Sequence, residues 1–159
     1  MKVNYIKGDA TNPQRNGNKK AIIVHICNDK RRWGAGFVLA LSKKWDGPEE
    51  TYRNMPDEMM SLGNVMIIPV ENDILVANMI AQHDIKPGEH GEPPIRYGAL
   101  KTCLEKVNDL AKAINADIHM PRIGCGLAGG KWETVVKMIR QAVTVDVTVY
   151  DLFDNMERP

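Results

Sequence analysis

The stretch Ala21-Ile22-Ile23-Val24-His25-Ile26-Cys27-Asn28, followed by Asp29-Lys30-Arg31-Arg32-Trp33 and then Gly34-Ala35-Gly36-Phe37, decides the architecture. Ala21 to Cys27 is a nearly unbroken apolar run, as expected of a strand covered on both faces. A polar, basic loop and two glycines come next, and Phe37, Leu41 and Trp45 then recur at helical spacing. Strand, glycine loop and helix in that order form the building unit of an α/β fold.

Outward from this unit the same alternation continues. Lys2 to Ile6 reads as a first strand. Gly47-Pro48 interrupts, and Glu49 to Met60 predicts a second helix with a break or kink at Pro56. Asn64 to Val70 and Ile74 to Ala81 are strands joined by the turn Glu71-Asn72-Asp73, a hairpin signal. The stretch from Gln82 to Arg96, rich in Gly, Pro and charge, is a long loop of the kind that is usually functional or disordered. Leu100, Cys103, Leu104, Val107, Leu110, Ala111 and Ile114 share one helical face. Asp117 to Met120 is a short strand ending at Pro121. Gly124, Gly126, Gly129 and Gly130 then lead into a helix carrying Trp132, Val135, Val136, Ile139 and Val143. Val145, Val147 and Val149 alternate in a last strand that ends at Tyr150. The pattern predicts an α/β fold with helices on both faces of a sheet of about six strands, mixed because the hairpin is antiparallel.

Composition bounds the function. The 159 residues, 43% hydrophobic and 26% charged, suit one globular domain over 1–159. A chain of this size hides roughly 70% of its unfolded surface and needs no staples. With 21 Lys+Arg against 20 Asp+Glu, net charge +1, the chain has no field to hold a polyanion, so strong nucleic-acid binding is not expected. Met1 to Asp9 lacks the apolar core of a signal peptide, and no uncharged apolar run is long enough to span a bilayer. The expected compartment is therefore cytoplasmic, or nuclear and cytosolic in a eukaryote, with no membrane partner. Cys27, Cys103 and Cys125 have no Cys-x-x-Cys spacing, so neither a disulfide framework nor a zinc site is expected. His83 and His90 lack ligand spacing with Cys or acids, and no metal or other cofactor is expected.

The two glycine loops carry the chemistry. In such folds ligands bind beyond the carboxyl ends of the strands, where glycine lets backbone N–H groups approach an anion. The pair suits two phosphates; the alternative is tight turns alone. Gly124-Cys125-Gly126-Leu127-Ala128-Gly129 formally matches G-x-G-x-x-G and raises a dinucleotide reading. Against it, one strand follows instead of further strand–helix units, and Asp146 begins that strand where a ribose-binding acid should end it. Walker A also fails, with Cys125 at its first Gly and Trp132 at its Ser/Thr position.

Val3-Asn4-Tyr5-Ile6-Lys7-Gly8-Asp9, His25-Ile26-Cys27-Asn28 through Trp33-Gly34-Ala35-Gly36, Met120-Pro121-Arg122-Ile123-Gly124-Cys125-Gly126-Leu127 with Trp132, and Thr148-Val149-Tyr150-Asp151-Leu152 together resemble a macro domain. They are nearest the compact group with terminal ADP-ribose protein glycohydrolase and the yeast-type ADP-ribose-1″-phosphate phosphatase. The resemblance covers nearly the whole chain and implies a three-layer α/β/α sandwich that binds ADP-ribose or an ADP-ribosylated macromolecule. It implies that Asp9, with Ala10 beside it, accepts the adenine amino group; the alternative for Asp9 is a turn acid. It implies that Gly34, Ala35 and Gly36 follow the distal ribose and a phosphate. Gly124, Cys125, Gly126, Leu127, Ala128 and Gly129 would wrap the diphosphate, and Tyr150 to Leu152 would flank adenine, unless Tyr150 is core.

The glycohydrolase that the chain resembles uses a lysine nucleophile near the end of the hairpin's second strand and an Asp in the second glycine loop. Gln82 and Ala128 stand at those positions here, and neither side chain performs that chemistry. Near the distal ribose the resemblance leaves two catalytic candidates. Asn28 matches an Asn that holds a distal-ribose hydroxyl in many macro domains and would orient it or water. His25 corresponds to the histidine beside the catalytic loop of the yeast-type phosphatase and would assist proton transfer, with His83 and Asp84 also open. The alternatives for Asn28 and His25 are a turn residue and an inert buried histidine. Three readings follow: a hydrolase acting at the distal ribose, on ADP-ribose 1″-phosphate or an ADP-ribosyl adduct; a non-catalytic reader of ADP-ribose; and a dinucleotide-binding enzyme.

Overall fold

The computed structural model describes residues 1–159. Six strands form one sheet: β1 (Val3–Lys7), β2 (Lys20–Asn28), β3 (Val65–Glu71), β4 (Ile74–Gln82), β5 (Ala116–Met120) and β6 (Val147–Asp151). Their spatial order is β1-β6-β5-β2-β4-β3, all neighbours parallel except the antiparallel β3/β4 pair. The expected hairpin thus lies at the sheet's edge, where Pro69 in β3 costs no ladder bond to a further strand.

Helices α1 (Phe37–Lys44) and α2 (Gly47–Asn54) cover one face, and α3 (Tyr97–Ile114) and α4 (Trp132–Ala142) the other. Alternation along β2 sends Ile22 and Val24 to Leu100, Leu104 and Ile139, and Ile23 and Cys27 to Trp33, Leu41 and Tyr52. Both faces of the strand are apolar for that reason. The helix expected over Glu49 to Met60 is divided: α2 starts earlier, with Pro48 in its first turn, and stops before Met55-Pro56, after which Asp57–Met59 is a single 3₁₀ turn. The last strand runs from Val147 to Asp151 instead of starting at Val145, and just before it Asp146 Oδ1 accepts the Lys2 N–H at 2.8 Å.

The outer part of one face is polar. Asp117, His119 and Tyr150 are buried there beneath the 8–19 segment, which supplies Asn16 and Lys19 to Asp117 and the Gln14 N–H to the Tyr150 hydroxyl.

Candidate functional site

A cavity of about 870 Å³ opens at the carboxyl ends of β2, β4, β5 and β6, between the two glycine loops. This is the edge where helices and strands of an open parallel sheet leave room for a ligand.

The loop after β2 is pinned by Asn28. Its Oδ1 accepts the N–H groups of Lys30 (2.9 Å) and Arg32 (3.1 Å) and the Tyr52 hydroxyl (2.8 Å), and its Nδ2 donates to the Arg32 carbonyl at 2.8 Å. Arg31, at φ 60°, turns its guanidinium toward α2 and donates to the carbonyls of Tyr52, Arg53 and Met55 and to Asp57. Trp33 is buried, donates to Ser42 Oγ at 2.8 Å and meets His25 edge-on at 5.4 Å. Gly36 caps α1 at φ 83°, ψ −147°, a conformation open to glycine alone.

In the second loop Gly124 has φ 77° and accepts the Gly130 N–H at 2.7 Å. A Cβ on Gly124 would stand 2.6 Å from Ile95 Cδ1, whereas one on Gly126 would meet nothing within 4 Å. Gly124 is therefore required by the turn, and Gly126 keeps open space beside the cavity.

At the end of β6, Asp151 has no exposed side-chain surface and receives Arg122 through two bonds, 2.6 and 3.1 Å, and Arg158 through one of 3.1 Å. The Arg122 guanidinium also lies 5.4 Å from the ring centres of both Tyr5 and Trp132. It holds the Asp151 carboxyl below the usual range, burial opposing and Arg158 assisting. The cavity lining carries four guanidinium groups, Arg31, Arg32, Arg53 and Arg122, and one carboxylate, Asp151. Three of the arginines are paired with carboxylates, Arg31 with Asp57, Arg53 with Glu49 and Arg122 with Asp151, so Arg32 is the one without a counter-charge.

The structure brings His25, Asn28, Gly34, Ala35, Gly36, Gly124, Gly126, Leu127, Ala128, Tyr150 and Leu152 to the cavity wall, together with Gln82. Asp9, Ala10, Cys125 and Gly129 are not in that wall. Asp9 follows Gly8, whose N–H donates to the Asp151 carbonyl, so it stands at the same sheet edge. Its Oδ1 accepts the N–H and hydroxyl of Thr11, both at 2.8 Å, as a turn acid does. Tyr150 is both core and wall: buried, its hydroxyl accepts from the Gln14 N–H and lies 2.8 Å from His119 Nδ1.

His25 departs from expectation. Its partner across the β2/β4 register is Asn78, whose Nδ2 donates to the Pro48 carbonyl, leaving Oδ1 to accept from His25 Nε2 at 2.5 Å. The imidazole is thus the Nε2–H tautomer, and burial lowers its pKa to about 4, not the near-neutral value assumed for a proton shuttle. Burial also pushes the Cys27 and Cys125 thiols up, Cys125 to about 11, so both are protonated packing groups. His83 Nδ1 lies 2.8 Å from Asp29 Oδ2, joining the 82–96 loop to the first glycine loop. No three His, Cys, Asp or Glu side chains are placed to hold a metal ion.

Residue-by-residue reading of the sequence assigned no role to Arg122, Arg53, Trp33 or Phe153, although Asp151 falls within the Tyr150 to Leu152 stretch and Arg31 and Arg32 within a basic loop able to meet a phosphate. Arg122 and Asp151 had a usable signal, since each stands at or just past the carboxyl end of a parallel strand. Trp33 and Phe153 lie in loops whose course no periodicity specifies, and Arg53 reaches the wall from the last turn of α2.

No family model matches the chain. A Bacteroides thetaiotaomicron protein described as of unknown function is 52% identical, with TM-score 0.91 over 96% of this chain and 99% of that one. A macrodomain protein from Streptomyces coelicolor is 42% identical, with TM-score 0.81 over 94% and 99%. The chromodomain-helicase-DNA-binding protein 1-like of Mus musculus is 33% identical over 150 residues, 87% of this chain, but the chain spans only 16% of that protein's length. An ADP-ribose 1″-phosphate phosphatase of Candida albicans is 24% identical over 93% of this chain and 98% of that protein. The Homo sapiens ADP-ribose glycohydrolase OARD1 is 28% identical over 95% and 92%.

Proposed function

The chain belongs to the macrodomain family, and from that premise we propose that it binds ADP-ribose and hydrolyses a bond at the distal ribose, in ADP-ribose 1″-phosphate or an ADP-ribosyl adduct. The observation that carries the reading is the cavity between two glycine loops at the carboxyl ends of the parallel strands, where Gly36 and Gly126 let backbone N–H groups approach a ligand whose centre is a diphosphate. In the proposed pose the diphosphate lies between Gly36 and Gly126, the distal ribose lies toward Asn28, and adenine extends past Tyr150 toward Asp9. Asp9 Oδ2, free of the Thr11 bonds, accepts the adenine amino group.

Asn28 Nδ2 has one hydrogen beyond that given to Arg32, and it orients a ribose hydroxyl or the attacking water. His25 Nδ1 is the unprotonated nitrogen. It lies 4.0 Å from Cys27 Sγ, and with its pKa lowered to about 4 by burial the ring stays neutral, so that its part is to shape the distal-ribose end of the wall and Asn28 carries the orienting role. The names of the phosphatase and glycohydrolase relatives support hydrolysis at this position.

A second reading, a module that binds ADP-ribose and cleaves nothing, is favoured by the amide of Gln82 and the methyl of Ala128 in the wall, where the resembling glycohydrolase has lysine and aspartate. Calorimetry with ADP-ribose, followed by product analysis on ADP-ribose 1″-phosphate and on ADP-ribosylated protein, tests both. Binding with product supports the hydrolase, and binding without product leaves the reader. NAD bound as tightly as ADP-ribose would instead indicate a dinucleotide site.

A further inference from the structure

We propose that Arg32 is the residue with which this chain recognises a phosphoryl group carried on the distal ribose; the inference rests on the ADP-ribose reading of the same cavity. Three of the four guanidinium groups in the wall are already committed. Arg122 is bound to Asp151, Arg31 to three carbonyls and Asp57, and Arg53 to Glu49 and the Arg31 carbonyl. The Arg32 side chain lines the same cavity, is exposed, and makes no hydrogen bond or ion pair.

Its backbone is held from both sides. Asn28 Oδ1 accepts the Arg32 N–H at 3.1 Å, and Asn28 Nδ2 donates to the Arg32 carbonyl at 2.8 Å. The side chain therefore leaves from a fixed Cα, and ordering it on a ligand requires no ordering of its loop. Arg32 stands at the Asn28 end of the first glycine loop, its backbone bonded to Asn28 on both sides. In the proposed pose this is the distal-ribose end, beyond the diphosphate. A guanidinium with all its donors free matches two oxygens of a phosphoryl group, and a bare ribose hydroxyl offers it no counter-charge.

The test compares ADP-ribose with ADP-ribose 1″-phosphate by stopped-flow fluorescence of the intact chain, Trp33 in the wall serving as reporter before any turnover. The wild type is expected to bind the phosphorylated ligand about tenfold more tightly, the size of one charge-assisted contact. In Arg32→Gln that ratio should fall to about one, with the loss on the phosphorylated ligand, while Arg32→Lys should keep part of it because the charge remains. Equal wild-type affinities, or an Arg32→Gln variant that weakens both ligands equally, would overturn the proposal. In the first case nothing reads the phosphoryl group, and in the second Arg32 serves the diphosphate. A wild type that binds neither ligand would overturn the ADP-ribose reading itself, an outcome distinct from both.

Discussion

Arg122 and Asp151 form a two-point ion pair, Nε to Oδ1 at 2.6 Å and NH2 to Oδ2 at 3.1 Å, that bolts the second glycine loop to the end of β6. The carboxylate is fully buried and the guanidinium nearly so. Removing one partner leaves the other charged, desolvated and alone, which costs far more than the intact pair contributes. Asp151→Ala is expected to lose about 3–5 kcal/mol of stability in urea denaturation and to weaken ADP-ribose binding. Arg122 holds the Asp151 carboxyl below its ordinary range. The pair's contribution is therefore whole above the unfolded value of about 4 and is lost as pH falls through the lower folded value.

The buried histidines set a different acid limit. Burial lowers His25 and His119 to about 4, so between the unfolded value of about 6.5 and that figure the unfolded chain binds protons that the folded chain does not. Stability should fall over this window, by about 2 kcal/mol per histidine from about pH 7.5 to about pH 5. Urea titrations at the two pH values check it, and a His25→Asn variant should show about half the acid loss. Equal acid sensitivity of variant and wild type would mean that His25 titrates normally in the folded state.

Gly124 and Gly126 are two residues apart and should respond oppositely to valine. Gly126→Val puts its side chain into open space beside the cavity, so the chain should fold with near-normal thermal stability and lose ADP-ribose binding. Gly124→Val meets Ile95 Cδ1 at a Cβ distance of 2.6 Å and φ 77°, and should destabilise by at least about 1–3 kcal/mol. Thermal melts with calorimetry separate the two effects.

Asn28→Ala removes the acceptor of two N–H groups and of the Tyr52 hydroxyl, although that hydroxyl keeps the Asn28 carbonyl at 2.6 Å. The loop bearing Arg31 to Gly36 should loosen and stability fall by about 1–3 kcal/mol. If the chain is a hydrolase, turnover should drop further than affinity, by about 100-fold, because an error near 1 Å in placing water or ribose is felt mainly in the transition state. A steady-state kcat against KM comparison measures the split.

Asp9→Ala should cost about 1–3 kcal/mol in ADP-ribose affinity if its free oxygen serves adenine. Unchanged affinity in calorimetry would leave it as the turn acid that its Thr11 bonds describe.

What the sequence determined by itself was the order of elements, the two-faced burial of β2 and the glycine loops at strand ends, because each follows from local periodicity or from a residue type with special backbone freedom. Gly36 and Gly126 were legible as cavity residues on that basis, since they follow strands at the edge where ligands bind, whereas His25 and Asn28 were singled out by the resemblance to a macro domain. Their chemical state was not legible. Only the tertiary structure paired His25 with Asn78 across the β2/β4 register and buried it to a pKa of about 4. It alone brought Arg122 to Asp151 from 29 residues away, and committed Arg31 and Arg53 while leaving Arg32 free. Protonation and charge pairing depend on desolvation and on partners distant in sequence, and neither is encoded in the spacing of residues along the chain.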